Sequence, residues 1–221
     1  VPNRSNVLWT KYKARTARSL LKLTLLFLFH LSFVQAAEVS ITAVTENLPP
    51  YQVVKDNKLI GGSSYLLVKE LIARSGYRVT FKVLPWARAY QIALTEANTL
   101  IFSMTRSETR EDKFKWVGDL RELSYSFYSL KSAEANGIHS VNDAKRYTVV
   151  AVRNSFEAQS LIRQGFVVGE NLVLAINYQQ AWKMLLHGRV DYTYANAFIG
   201  DNIYKSLGLE VDPFYRQSFV V

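Results

Sequence analysis

The 221-residue sequence carries 27 basic and 18 acidic side chains, a formal net charge of +9, and no cysteine. Six of the basic residues (Arg4, Lys11, Lys13, Arg15, Arg18 and Lys22) precede Ala36 with no acid among them, so the remainder holds 21 bases against 18 acids, a net +3. Composition therefore excludes disulfides and thiolate metal centres, and the basic balance is no argument for nucleic acid, since no basic stripe with interleaved aromatics follows.

The first segment in chain order reads as an export signal. Its cations are followed by the apolar run Leu23-Thr24-Leu25-Leu26-Phe27-Leu28-Phe29, which weakens through His30 to Val34. Val34 and Ala36 supply small residues at the −3 and −1 positions of a cut after Ala36. That order describes a secretory signal peptide over residues 1–36 and a periplasmic destination. The alternative is a membrane anchor, but a spanning helix needs about 20 apolar residues, and Lys22, His30 and Ser32 interrupt this run. About 185 residues remain, enough to bury a substantial core without disulfides.

Val39, Ile41 and Ala43 alternate with polar residues and predict a half-buried strand, ended by Pro49-Pro50. Asp56-Asn57-Lys58 is a turn. Gly61-Gly62-Ser63 opens a helix to about Arg74 with Tyr65, Val68, Leu71 and Ile72 on one face, and Gly76 stands at its left-handed cap. A strand over Val79, Phe81 and Val83 stops at Pro85, a helix covers 86–96, and Leu100-Ile101-Phe102 is a short buried strand. The second half repeats the pattern: strand Tyr125–Leu130, a short helix at 142–145, and the apolar strand 147–152 of the kind buried on both faces. Helix 155–164, strand 172–177, helix 179–187, strand 190–195 and helix 197–207 follow, the last closed by Gly208. Strands alternating with helices of about ten residues indicate α/β architecture with largely parallel sheets.

Solutes of open α/β sheets bind beyond the carboxyl ends of the strands. At those ends stand Thr45, Glu46 and Tyr51; Trp86 and Arg88; Thr105, Arg106 and Arg110; Arg153, Asn154 and Ser155; and Asn196. The planar fork of an arginine matches a carboxylate with two parallel hydrogen bonds. Asn154-Ser155 before a helix offers free backbone N–H groups, and Tyr51 and Trp86 are suited to clamp an apolar or cationic group. Each also has an ordinary structural use. Arg110 fits a solvated helix start within Glu108-Thr109-Arg110-Glu111-Asp112-Lys113, Asn154 with Glu157 fits a capping box, Asn196 fits a helix cap, Glu46 fits solvent, and the aromatics fit packing. His139 and His187 form no ligand-spaced cluster. Neither a metal nor a cofactor is expected.

In their order these features resemble the family 3 extracellular solute-binding proteins, which serve polar amino acid ABC transporters. The resemblance runs over residues 38–221 and rests on Pro50-Tyr51, Gly61-Gly62, Thr105 to Arg110, Trp116, the segment Val150-Ala151-Val152-Arg153-Asn154-Ser155, and Gly188-Arg189-Val190-Asp191-Tyr192. It implies an α/β, two-lobed type 2 periplasmic-binding-protein fold, each lobe a sheet flanked by helices. Residues 37–122 and a returning segment, 214–221, would form lobe I, and residues 123–213 lobe II. It further implies that Arg110 grips a solute carboxylate beside Thr105, that Tyr51 and Trp86 form aromatic walls, and that Asn154-Ser155 closes from the other lobe. The sequence departs from the family at Asn196, where an Asp usually holds a ligand ammonium, and at Ser63–Leu66, which lack the usual acid. Family members also continue past the point where this chain stops, so their last one or two helices are expected to be missing.

The function expected is reversible, non-enzymatic capture of a small carboxylate-bearing or amino-acid-like solute by a monomer, for delivery to an ABC permease. Two alternatives stay open on the same fold. One is a lyase or dehydratase with Glu46 as acid/base; the other is a sensory module.

Overall fold

The structure is a computed structural model that describes residues 40–133 and 137–217. The expected signal peptide and the last four residues of the expected returning segment lie outside the described residues. Among the described residues, no helix is long and apolar enough to cross a membrane, and no cluster of three or more metal-ligating side chains is present.

Two sheets with separate helices account for most of the chain. In the first half, β1 (Ser40–Thr45), β2 (Val53–Lys55) and β3 (Lys58–Gly61) lead to α1 (Ser63–Ser75), β4 (Arg78–Val83), α2 (Trp86–Thr95), β5 (Thr99–Ile101) and the short α3 (Glu108–Glu111). The strands β4-β1-β5 form a parallel three-stranded sheet in that order, with Ala43 opposite both Phe81 and Leu100. β2 and β3 form a hairpin, unexpected from sequence beyond its turn, in which Asp56 and Asn57 take positive φ of 49° and 58°. That pair of left-handed residues is what a two-residue hairpin requires.

The second half runs through β6 (Tyr125–Leu130), α4 (Val141–Ala144), β7 (Val149–Val152), α5 (Phe156–Arg163), β8 (Leu172–Ala175) and α6 (Tyr178–Leu186), then β9 (Tyr192–Asn196), α7 (Ala197–Gly200), α8 (Ile203–Ser206) and β10 (Phe214–Arg216). Its five strands stand in the order β10-β6-β9-β7-β8, with β7, β8 and β9 parallel and β6 antiparallel to both its neighbours. The sheet is therefore mixed rather than largely parallel. Val149, Val150, Ala151 and Val152 are all buried, as an unbroken apolar run in a central strand demands. Trp182 and Tyr128 meet edge to face at 5.2 Å in the largest apolar cluster.

Several expectations need correction. Phe214–Arg216 does not return to the first sheet; it pairs with Tyr128–Leu130 at the edge of the larger one. Leu71 does not share the buried face of α1. Ser64 and Val68 carry that face, because a three-stranded sheet is too narrow to cover the outer leucines Leu66, Leu67 and Leu71. Helix 197–207 is two short helices, broken where Asp201 accepts hydrogen bonds from the Tyr128 hydroxyl at 3.0 Å and from Arg216 at 2.9 Å.

Two glycines are dictated by close approach. Gly62 has φ 108°, and a Cβ there would lie 2.3 Å from the Tyr51 carbonyl oxygen. A Cβ on Gly200 would lie 2.2 Å from the Tyr128 ring. Gly62→Ala and Gly200→Ala should each lower stability by roughly 2–4 kcal/mol. Gly61→Ala, with nothing within 4 Å, should stay within about 0.5 kcal/mol. Urea unfolding of the three variants checks this, and three equal midpoints would contradict it.

Candidate functional site

Parallel strands deliver their carboxyl ends to one edge of a sheet, and here both sheets turn that edge toward the same crevice. From the smaller sheet, β1 leads to Glu46, the turn after β4 leads into Trp86, and β5 is followed by Ser103 and Thr105. From the larger, β7 leads to Asn154 and Ser155, β8 leads to Tyr178, and β9 ends at Asn196. Glu46, Leu48, Trp86, Ser103, Thr105, Arg110, Ser155, Phe156, Glu157 and Tyr178 line a partly open cavity of about 20 Å³. That is room for a water-sized group.

Arg110 is at the centre, with 1% of its surface exposed, although its neighbours Glu108 and Thr109 face solvent. The solvated reading of this segment fails for Arg110 because α3 is one turn long and turns only that side chain inward. Its Nη1 donates to the Thr105 carbonyl at 2.8 Å and its Nη2 to the Asn154 carbonyl at 3.2 Å, so the guanidinium spans both halves. Its flat face lies 5.7 Å from the Trp86 ring and 5.2 Å from that of Tyr90, and its Nε–H, also buried, has no partner.

Two carboxyl groups, Glu46 and Glu157, line the same cavity. Glu46 is 5% exposed and its Oε2 has no hydrogen-bond partner. Burial, reinforced by the charge of Glu157, holds its pKa well above the ordinary 4.5. Glu157, 3% exposed, is raised by burial too, but hydrogen bonds from Tyr178 (2.6 Å), its own backbone and Ser155, and the field of Arg110, oppose the rise. Burial also raises Tyr178 well above the usual phenol range, so it remains a neutral donor at physiological pH. Tyr125 and Thr105 share a hydrogen bond of 2.6 Å between their hydroxyls.

The residues picked out at strand ends divide into groups. Glu46, Trp86, Thr105, Arg110 and Ser155 all line the cavity. Tyr51 and Asn196 stand outside it and bind each other, the Tyr51 hydroxyl donating to Asn196 Oδ1 at 3.2 Å. That same oxygen caps α7 by accepting from the Ile199 N–H. Arg88 is exposed on α2 and is not brought in. Arg106 is exposed as well and pairs with Glu111. Asn154 does not cap α5: it holds φ 61°, and Ser155 is the cap, its hydroxyl accepting from Ala158. The register of the box therefore shifts by one and frees Glu157 to point inward. Glu157, Tyr178, Ser103 and Tyr90 were not anticipated. The one available signal was a carboxylate two residues after a buried strand's turn, which fits a cap equally well.

Because Glu46 and Glu157 are raised in the fold, their contribution to stability is complete below the ordinary carboxylate value and is lost as pH rises through the raised ones. Glu46→Gln removes one buried charge and its repulsion. We expect its melting temperature to exceed the wild type's at pH 8, with the gap closing toward pH 4.5. A gap constant across that range, in melts at half-unit intervals, would sink the assignment.

No family model matches the sequence, and comparison with curated proteins returns no significant similarity. Solved structures do resemble it. An ancestral arginine-binding protein bound to arginine superposes with a TM-score of 0.69 at 20% identity, over 80% of this chain and 78% of its own. A histidine kinase sensor domain with similarity to periplasmic binding proteins gives 0.72 at 17%, over 83% and 79%. A Salmonella typhimurium periplasmic binding protein of high arginine specificity gives 0.67 at 14%, over 82% and 78%. At such identities the likeness speaks for the fold. The fold is the two-lobed periplasmic-binding-protein fold expected from the sequence.

Proposed function

We propose that this protein captures a small amino-acid-like solute between its two lobes, with the solute carboxylate on Arg110 and its cationic group on Glu46 and Glu157. One observation carries the reading: Glu46, with its buried Oε2 unpartnered, and Arg110, with its buried Nε unpartnered, line the same cavity. Burying charges without partners is costly, and a solute with one anionic and one cationic end would complement both. With one guanidinium and two carboxyl groups, which a cationic group would hold in the ionised form, a solute of net positive charge is the best match. Two of the superposed proteins bind arginine, and the ancestral arginine-binding protein also binds glutamine, which supports an amino-acid-like solute.

The bodies that move are the parts built on the two sheets, divided near residue 123, and they close as hinged domains do. Capture without turnover, in the periplasm, for an inner-membrane ABC permease, is the role these features support. A sensory role on the same site is the second reading, favoured by the likeness to a histidine kinase sensor domain. Both readings require the same solute chemistry.

Thermal melts with a panel of basic, neutral and acidic amino acids and dicarboxylates test the proposal. A solute at a hundred times its Kd should stabilise the protein by about 2.7 kcal/mol, with basic amino acids ahead of neutral ones. Arg110→Lys keeps the charge but loses the fork. It should weaken binding roughly 10- to 100-fold while the protein itself stays folded. Glu157→Gln should weaken basic solutes more than neutral ones. A panel in which only dicarboxylates bind would overturn the charge assignment.

A further inference from the structure

The aromatic at position 86 does something other than line a wall. The Trp86 indole N–H donates to the Asn154 carbonyl at 2.9 Å, across the crevice from the smaller sheet's side to the larger. Arg110 Nη2 donates to the same oxygen at 3.2 Å. One main-chain carbonyl of the larger lobe thus receives two donors from the smaller. The carbonyl takes up that position because Asn154 sits in the left-handed region at φ 61°, which asparagine tolerates far better than branched residues do. Its side chain is exposed and takes no part. Other hydrogen bonds also cross: Tyr51 to Asn196 outside the cavity, and the 2.6 Å bond between the hydroxyls of Thr105, which lines the cavity, and Tyr125.

We propose that the Asn154 carbonyl is the latch of the closed state, with Trp86 and Arg110 as its two donors, so that Trp86 is a closure residue. Both bonds join protein to protein and need no solute to form. An oxygen held at the guanidinium edge also occupies part of the surface that a carboxylate would grip. Solute capture is then an exchange or sharing of acceptors at Arg110, and the latch sets the resting balance between closed and open forms. The proposal rests on the two-lobe capture reading for its meaning, but its test needs no solute and fails or succeeds independently of what binds.

The absence of cysteine lets a pair of spin labels be placed cleanly on the full chain at Lys69→Cys in α1 and Lys183→Cys in α6, both exposed. Distances between them report lobe separation. In the otherwise unaltered protein the distribution should be narrow and short. Trp86→Phe keeps the ring but removes the donor, and should shift the closed-to-open ratio roughly fivefold toward open. Asn154→Val, at an exposed side chain, disfavours the left-handed backbone and should open the crevice from the other lobe. Asn154→Gly keeps that backbone accessible and should stay closed. If Trp86→Phe fails to fold cooperatively, the two Asn154 variants decide alone. A broad distribution before any change at the latch, unchanged distances in the folded Trp86→Phe or Asn154→Val, or equal opening in Asn154→Gly would each overturn the proposal.

Discussion

A guanidinium buried at the seam of two sheets needs acceptors on all sides, and the crevice is organised around that requirement. Arg110 reaches the Thr105 carbonyl of its own half and the Asn154 carbonyl of the other, while Trp86 and Tyr90 present ring faces to its plane. Carbonyls and π-faces lower the cost of a buried cation without neutralising it. The positive charge therefore stays available, which is what distinguishes a binding arginine from one locked in a salt bridge. Arg106, four residues earlier, shows the contrast: Glu111 satisfies it at the surface.

The carboxylates obey the opposite logic. Glu46 and Glu157 come from different halves, and the charge of Glu157 adds to the cost that burial alone imposes on Glu46. Tyr178 and Ser155 stabilise Glu157 with hydroxyl donors, whereas Glu46 keeps one oxygen unpartnered. Charge and proton affinity are therefore coupled where the two halves meet. A cationic group arriving between the acids and a proton taken up by Glu46 relieve the same repulsion.

Contacts away from these charges also join the two halves. Arg121 lies 5.5 Å from the Tyr51 ring and 4.6 Å from that of Phe198, so a residue ahead of β6 bridges an aromatic from each half. Tyr51 in turn binds Asn196. Asn196, which stands where an acid would hold an ammonium in related sequences, has its oxygen occupied by protein donors.

The sequence by itself determined the alternation of strands and helices, the two-lobed α/β fold and the strand ends at which Glu46, Trp86, Thr105, Arg110 and Ser155 stand. Hydrophobic period, prolines and glycines are local signals, and they set local structure. Tertiary structure alone decided that Arg110 is buried while Arg88 and Arg106 are not, since charge and spacing are equivalent for all three until a one-turn helix is oriented. It also decided that Ser155 rather than Asn154 caps α5, which turns Glu157 inward, and that Phe214–Arg216 stays with the larger sheet. These outcomes turn on which groups meet across the crevice. A contact between residues 44 or 68 positions apart leaves no trace in the pattern on either side of it.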